Sequence, residues 1–318
     1  MIYLVLFLVL LVLMLLYFRI ADHYNIVDHP NERSSHSEVT IRGGGVIFAI
    51  AIICGVVMHL GYWLPGLGLL MISIVSFIDD RINLSSRLRV MVHVAAVTLI
   101  FMFLQLFTLH FYVFIVLYII AIGIINMYNF MDGINGITGI YTLVLFAGLQ
   151  YVNLNMQPFI EADLIWLPML ASVVFLFFNF RKRAKCFAGD VGSVAIAFWL
   201  VFLLFRLIQV SGNVTYILFL SVYGVDAVLT VVHRLILKQN IFQAHRLHFY
   251  QVLVNEQKMP HLVVAVSYAL IQLLIIALII LYKDASVILV FIAVVAPLAI
   301  LYIAIKPRLM ITRIQAFK

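Results

Sequence analysis

The chain alternates between long apolar runs and short polar connections, a pattern typical of membrane-spanning helices. A helix that crosses the hydrocarbon core of a bilayer needs about 20 predominantly apolar residues, and the runs predict about eleven such helices. They cover residues 2–18, 43–62, 64–78, 90–107, 110–126, 136–152, 164–180, 192–209, 214–232, 262–282 and 285–305. The sequence therefore predicts an all-α, polytopic integral membrane protein with residues 1–318 in one transmembrane domain.

The composition excludes soluble classes of protein. Of 318 residues, 66% are hydrophobic and 10% are charged, whereas a soluble globular chain is roughly 45–50% apolar and about 25% charged. Eleven spans would use about 220 residues, which leaves about 100 for all loops and tails and none for a separate soluble domain. Cys54 and Cys186 are the only cysteines, and we expect neither a disulfide nor a zinc ribbon from them.

Positive charge sets the expected orientation. The chain has 20 Lys and Arg residues and a formal net charge of +7. Nearly all of these cations fall in alternate connections (19–45, 79–89, 181–185 and 234–258) and in the tail after residue 305. Because positive loops face the cytoplasm, the N-terminus is predicted outside and the C-terminus inside. Basic loops also attract anionic headgroups of the lipid bilayer, and no basic–aromatic pattern suggests a nucleic-acid partner.

Two adjacent carboxylates, Asp79 and Asp80, close the third predicted helix on the cytoplasmic side. They repel each other and lie at a helix C-terminus, where the helix dipole is already negative. A divalent cation or a cationic partner would remove that penalty. The alternative is an exposed surface pair between Asp80 and Arg81.

Three polar side chains spaced by three residues, Asn129, Asp132 and Asn135, follow the fifth predicted helix. This spacing puts them on one helical face or along one tight loop. Carboxyl and amide oxygens are ligands that suit Mg²⁺, and amides also recognise nucleobases. The alternative is a capping turn between two helices.

Two further segments carry candidate chemistry. Asp190 and its neighbouring glycines open the eighth predicted helix, where a phosphate-and-metal site or a simple N-cap would both fit. His245 and His248 flank Arg246; without Cys or an HExxH motif, phosphate or sugar binding is favoured over zinc.

Three glycines, Gly43, Gly44 and Gly45, enter the second predicted helix, and two interpretations stay open. They form an anion-binding nest, or they permit close helix packing. Asp226 lies inside the ninth predicted helix, where a buried acid either belongs to an ion pathway or positions another side chain.

The polar segments lie together on the predicted cytoplasmic side, which favours an enzyme whose site opens to one face. The alternative is an ion-coupled membrane transporter of a polar metabolite or lipid-linked sugar that uses Asp226 and His233. Such a transporter is expected to show duplicated halves, and the polar motifs are not duplicated.

The ordered segments RSSH…RGGG, FIDDR, NMYNFMDGINGITG, FAGDVGS and AHRLHFYQ resemble those of the polyprenyl-phosphate N-acetylaminosugar-1-phosphate transferases. The resemblance spans about residues 28–251, and the HRxHxYQ-like loop is closest to the initiating transferases of O-antigen synthesis. It implies Mg²⁺-dependent transfer, with Mn²⁺ as an alternative, of N-acetylhexosamine 1-phosphate from a UDP-N-acetylhexosamine to undecaprenyl phosphate. The products would be undecaprenyl-diphosphate-sugar and UMP. It also implies a multi-pass protein of the bacterial inner membrane, and it leaves a homodimer open.

The resemblance also assigns roles to residues. Asp190 would bind Mg²⁺ with Asn129 as a second ligand, and Asp79 and Asp80 match an acidic pair in which Asp79 is the base or orients the lipid phosphate. A phosphate monoester has a second pKa near 6 and therefore needs little general base. The remaining assignments are Asp132 as an active-site acid, Phe187 and Asn135 at the uracil, Arg87 at the lipid phosphate, and His245, Arg246 and His248 at the sugar and diphosphate.

Two departures from the family pattern narrow the expected substrate. The segment before the glycines reads Glu38-Val39-Thr40-Ile41, where the family often has prolines that would stiffen the loop. The peptidoglycan translocase has a second Asp at Asn135 and a His triplet where this chain has HxxH. The Asn at position 135 and the HxxH pattern both favour a smaller N-acetylated sugar over the peptidoglycan precursor.

Overall fold

The computed structural model describes residues 2–29, 38–82, 84–240 and 245–316. Arg33–His36 of the first motif and Ala244 of the last lie outside these ranges. Within them the regular secondary structure is helical apart from a two-stranded antiparallel ribbon, β1 (Val27–Asp28) with β2 (Thr40–Ile41). The all-α fold class is confirmed.

Each predicted apolar run overlaps a helix. The helices are α1 (Ile2–His23), α2 (Val46–Met58), α3 (Trp63–Ile82), α4 (Ser86–Phe103), α5 (Phe111–Met131), α6 (Ile137–Asn155), α7 (Asp163–Asn179), α8 (Gly189–Ser211), α9 (Ser221–Ile236), the short α10 (Phe249–Gln251), α11 (His261–Leu281) and α12 (Val287–Ala316). In the part of the chain that the structure describes, nine helical segments are long and apolar enough to cross a membrane, whereas α2 and α7 are shorter. The number of spans and their orientation stay predictions.

Helix α8 forms the centre of the bundle. Its residues 194–204 are all buried, and it packs against α3, α5 and α2. A helix that is apolar on every side is stable only where other helices surround it. The N-terminus of α8, which carries Asp190, is therefore held rigidly among its neighbours.

One predicted span, 214–232, changes helix type along its length. A 3₁₀ segment (Val214–Leu220) leads directly into α9, so some backbone groups near the junction lack the partners of a regular α-helix. Gln272 of α11 satisfies them, because its side-chain nitrogen donates to the Leu218 carbonyl (3.1 Å) and its oxygen accepts from Val222 N (3.0 Å). Irregular backbone at membrane depth is tolerated only where protein groups satisfy it in this way.

The connection after α6, predicted to lie outside, is stabilised by a buried amide. The Asn153 oxygen accepts from the backbone N–H groups of Phe159 (2.9 Å) and Ile160 (3.2 Å). Nearby, Asp163 in the first turn of α7 accepts from His59 (2.9 Å). These residues lie apart from the polar motifs and supply matched controls for the site.

Candidate active site

Asp80 is a buried anchor near the C-terminal end of α3. Its side chain is 0% exposed, and its two oxygens accept from Asp190 N (2.9 Å) and Val191 N (3.0 Å) at the start of α8. A carboxylate at a helix N-terminus satisfies free N–H groups and complements the helix dipole. The surface pair with Arg81 does not form, because Asp80 instead receives Arg42 Nε at 2.7 Å.

Arg42 links two of the acidic motifs. Beyond its contact with Asp80, its Nη2 lies 3.6 Å from Asp190 Oδ1, and its carbonyl accepts from the Tyr17 hydroxyl at 2.6 Å. Burial lowers the pKa of Arg42, but the Asp80 and Asp190 carboxylates outweigh this effect and raise it above its usual value. Arg42 is therefore a permanent cation between α3 and α8. Sequence reasoning noticed it only as part of the RGGG motif.

The Asp79 and Asp190 side chains lie close enough to interact with each other. Asp79 is buried, accepts from Leu84 N at 2.5 Å and pairs with Arg89 Nη1 at 3.0 Å. The Asp190 side chain retains 21% exposure, so a ligand can reach it. The site therefore contains two opposed carboxylates with an arginine beside each.

The glycines after Arg42 pack against the start of α8. Gly44 N donates to the Phe187 carbonyl (2.8 Å) and Gly45 N to the Ala188 carbonyl (3.0 Å). A Cβ on Gly45 would lie 2.3 Å from Gly192 Cα. Close packing, rather than an anion nest, therefore explains Gly44 and Gly45, and the arrangement leaves the Phe187 side chain half-buried.

We expect Gly45→Ala and Gly192→Ala to separate α2 from α8 and to lower stability by about 1–3 kcal/mol each, the usual cost of overpacking. Thermal unfolding in detergent measures this loss. Gly61→Ala is the control, because a Cβ there meets nothing within 4 Å. Equal unfolding midpoints for all three variants would contradict the packing argument.

Asp132 follows α5 and is held by Thr138, whose hydroxyl donates to it at 2.5 Å. Burial, together with the nearby Asp80 carboxylate, raises the pKa of Asp132 to about 6, although the Thr138 hydrogen bond opposes the shift. Asp132 is thus close enough to sense the charge of the Asp80 cluster, and it holds a proton to higher pH than an ordinary carboxyl group.

Two asparagines connect the NMYNFMDGINGITG segment to the FAGDVGS segment. Asn135 is buried and donates to the carbonyls of Arg181 (2.9 Å) and Lys182 (3.2 Å). Asn179 accepts from Gly136 N (2.6 Å) and donates to the Cys186 carbonyl (2.8 Å). Asn135 therefore positions the basic 181–185 loop, and Asn179, which sequence reasoning missed, connects that loop to the FAGD segment.

Two predicted site residues lie beside this cluster. Asn129 is half-buried in the last turn of α5, and Arg87 is exposed in the first turn of α4. The Asn129 carbonyl accepts from Asp132 N at 3.2 Å, whereas the hydrogen bonds and ion pairs that Asp79, Asp80 and Asp190 make with other described residues involve neither Asn129 nor Arg87. Arg89, two residues after Arg87, makes the contact with Asp79 instead.

The loop of residues 245–248, here called the histidine loop, packs against the segment between α5 and α6. The Tyr250 hydroxyl donates to the Phe130 carbonyl at 2.9 Å, which brings the loop against the segment that carries Asp132. The ring of His248, 2% exposed, lies 4.9 Å from that of His245. Burial and neighbouring cationic groups lower the pKa of His245 to about 4, and Arg246 is half-buried.

The carboxylates of the site suit a Mg²⁺ ion that a substrate phosphate also binds. Among the residues that the structure describes, no three His, Cys, Asp or Glu side chains form a ready cation cage. Mg²⁺ is usually held by one or two carboxylates together with substrate phosphates and water. The opposed pair Asp79 and Asp190 matches that requirement, whereas a zinc site would need more protein ligands.

An apolar groove of about 670 Å³ lies between α5, α9 and α12. It is lined along its length by Gly123 and Gly224 and reaches Asn126 and Phe130 at one end. A Cβ on either glycine would meet nothing within 4 Å. The groove therefore ends two residues from Asp132 and has open space at both glycines.

The comparison with known families agrees with this site. Residues 62–208 match the family model described as Glycosyl transferase family 4. The matched segment, less than half of the chain, contains Asp79, Asp80, Asp132 and Asp190 and ends before the histidine loop. No curated protein matches the chain.

Proposed function

We propose that this protein is a membrane sugar-phosphate transferase. It transfers N-acetylhexosamine 1-phosphate from a UDP-N-acetylhexosamine to undecaprenyl phosphate at the inner leaflet of the bacterial cytoplasmic membrane. Such a step would initiate a surface glycan such as O-antigen. The observation that carries the proposal is the opposed pair Asp79 and Asp190, flanked by Arg89 and Arg42, within the segment that matches glycosyl transferase family 4.

The reaction exchanges one phosphoanhydride for another. An oxygen of the lipid phosphate forms a bond to the β-phosphorus of the UDP-sugar, and the bond between that phosphorus and the oxygen bridging to the α-phosphate breaks, so that UMP leaves. Since the second pKa of a phosphate monoester is near 6, the attacking lipid is largely a dianion. Asp79 therefore acts by positioning rather than by removing a proton.

The main obstacle is the repulsion between two anionic substrates. Mg²⁺ held by Asp190 and Asp79, with Asn129 as a further candidate ligand, would supply charge neutralisation between the phosphates. Arg42 and Arg89 are already oriented by carboxylates, so they stabilise charge without reorganisation.

The remaining residues divide between the two substrates. Phe187, which is half-buried, is assigned to stack on uracil, and Asn135 is assigned to the polar edge of the base, as the family resemblance implies. Asp132 and Asp80 are assigned to the electrostatic potential around the reacting phosphates. His245, Arg246 and His248 are assigned to the sugar and diphosphate, and the exposed Arg87 attracts the lipid phosphate.

The apolar groove gives the prenyl chain a place to bind. It is lined almost entirely by aliphatic side chains and glycines of α5, α9 and α12. An undecaprenyl chain there would direct its phosphate toward Asp132, because the groove reaches Phe130.

We expect Gly123→Leu and Gly224→Leu to raise KM for undecaprenyl phosphate about ten-fold, since filling the groove excludes one or two methylene groups worth about 0.8 kcal/mol each. The short acceptor dimethylallyl phosphate does not reach the glycines, so its KM stays unchanged. Steady-state UMP release with both acceptors measures the difference.

The matched control is Gly61→Leu, also at a glycine with open space around it but outside the groove. It leaves both KM values unchanged. A ten-fold effect with dimethylallyl phosphate as well, or no effect with either acceptor, would contradict the assignment of the groove to the prenyl chain.

The decisive experiment supplies a panel of UDP-sugars with undecaprenyl phosphate, with and without Mg²⁺, and measures lipid-linked product and UMP. We expect both products in equal amounts from at least one UDP-N-acetylhexosamine and only with the metal. Uptake of a solute by proteoliposomes without any nucleotide product would favour a transporter instead.

A further inference from the structure

Asp226 of α9 is a buried carboxylate with a full set of donors. The residue is 3% exposed. Its Oδ1 accepts from Phe249 N (2.8 Å) and the Thr230 hydroxyl (3.2 Å), and its Oδ2 accepts from the Tyr268 hydroxyl (2.8 Å) and Tyr250 N (3.4 Å). Two of these donors are backbone groups that directly follow His248. Asp226 therefore determines where the histidine loop enters α10.

The same carboxylate faces the His248 ring. Nδ1 of His248 lies 3.5 Å from Asp226 Oδ1, and the residue is 2% exposed. Both ring nitrogens are buried and make no hydrogen bond to the described residues, and Nδ1 is the one that faces Asp226. A carboxylate beside one ring nitrogen sets the orientation of the imidazole and the role of the other nitrogen. When both nitrogens carry a proton, Nδ1–H is directed at Asp226 and Nε2–H is the donor available to a bound anion.

A buried lysine balances the charge of Asp226. Lys306 of α12 is 1% exposed, and its Nζ donates to the Thr230 hydroxyl at 3.3 Å. That hydroxyl is also within 2.7 Å of the Tyr302 hydroxyl, and the ammonium group lies 4.4 Å from the centre of the Tyr302 ring. A buried charge is costly unless it is paired, and here Thr230 joins the two opposite charges.

We propose that Asp226 is a positioning residue that holds His248 so that Nε2 points at a phosphate oxygen of the UDP-sugar, with Lys306 as its counter-charge through Thr230. The inference rests on the proposed function, because it assigns His248 to the diphosphate. The two oxygens of Asp226 accept from four protein donors, so the carboxylate acts through the loop that it holds. This role accounts for the buried acid of α9 without an ion pathway.

The test is a double-mutant cycle on kcat/KM for the UDP-sugar. Asp226→Asn and His248→Ala each lower kcat/KM about 10–100-fold, as expected when a partner that orients a functional histidine is lost. If Asp226 acts through His248, kcat/KM of the double variant is no more than about three-fold lower than that of His248→Ala alone, because the two single losses share one cause.

A second variant covers the case in which Asp226→Asn does not fold. Thr230→Val keeps the side-chain volume but removes the hydroxyl that joins Asp226 to Lys306. It lowers kcat/KM less than Asp226→Asn does, and again adds little to His248→Ala.

The control for general destabilisation is Asn153→Leu. Asn153, like Asp226, is a buried acceptor of two successive backbone N–H groups, but it lies outside the site. This variant lowers the thermal unfolding midpoint and leaves kcat/KM of the folded protein unchanged. An equal loss of kcat/KM in Asn153→Leu would overturn the inference.

Two further results separate this inference from the function on which it rests. If the wild-type protein is active but the double variant loses kcat/KM by the product of the two single losses, the positioning role of Asp226 is wrong and the proposed function stands. The same conclusion follows if His248→Ala has wild-type kcat/KM. A wild-type protein that releases no UMP from any UDP-sugar overturns the proposed function, and the inference with it.

Discussion

Replacing Asp190 by Asn is expected to lower UMP release by about 10³-fold, the upper end of what one preorganised charge contributes to catalysis. Asn cannot pair with Asp79 to hold a divalent cation, and it removes the charge that Arg42 contacts at 3.6 Å. The backbone N–H of residue 190 still donates to Asp80, so α8 keeps its start. Turnover of UDP-sugar with undecaprenyl phosphate, measured over a range of Mg²⁺ concentrations, checks the prediction.

The matched control for Asp190→Asn is Asp163→Asn. Both acids lie in the first turn of a helix, and their side chains are 21% and 25% exposed. Asp163 is away from the polar motifs, so its replacement leaves turnover unchanged. If Asp190→Asn turned over at the wild-type rate, Asp190 would not be a ligand of the metal ion.

Replacing Asp80 by Ala is expected to cost about 3–5 kcal/mol of stability, the range for breaking one side of a buried ion pair. Arg42 would lose its 2.7 Å partner, and two N–H groups at the start of α8 would lose their acceptor. The thermal unfolding midpoint in detergent should fall accordingly, and activity should fall with it because Asp190 is no longer held in place.

The pair between Arg183 and Glu38 is the contrasting case. Its charged groups are only 3.1 Å apart, but the two side chains are 84% and 54% exposed. An exposed pair contributes about 0–1 kcal/mol, so Arg183→Gln should scarcely change the midpoint. If Asp80→Ala and Arg183→Gln had the same effect, Asp80 would not be the anchor of α8.

The apolar pattern of the sequence was sufficient to predict the helices, since every predicted run overlaps a helix. It did not predict the change from 3₁₀ helix to α-helix between residues 220 and 221, because the two kinds of helix can be equally apolar. The polar Gln272 in the middle of an apolar run was the available signal, as a buried amide needs partners.

The acidic motifs were found from sequence, but their individual roles were not. Successive residues on a helix with 3.6 residues per turn point about 100° apart, so Asp79 and Asp80 face different partners. Asp79 faces Asp190, and Asp80 lies beneath the start of α8. Without the helix phase, the sequence could not decide between them.

The same argument explains the arginines of α4. The sequence placed the start of that helix at residue 90, so Arg87 and Arg89 both counted as loop residues. The helix begins at Ser86, and side chains two positions apart on a helix point about 200° away from each other. Arg89 therefore turns toward Asp79, whereas Arg87 turns to the solvent.

Contacts between distant segments were beyond sequence reasoning. The two interpretations of the RGGG glycines were resolved only by the carbonyls of Phe187 and Ala188, which accept from Gly44 and Gly45. Asn179 gave no signal, because an Asn at a helix C-terminus is common in turns.

The position of Lys306 along the chain has a consequence for biosynthesis. A ribosome makes α12 after α9 and the histidine loop, so the buried charge that balances Asp226 is synthesised later than the parts it stabilises. Until α12 packs against α9, the histidine loop lacks its completed anchor. The nascent chain is therefore expected to gain turnover only when α12 has docked.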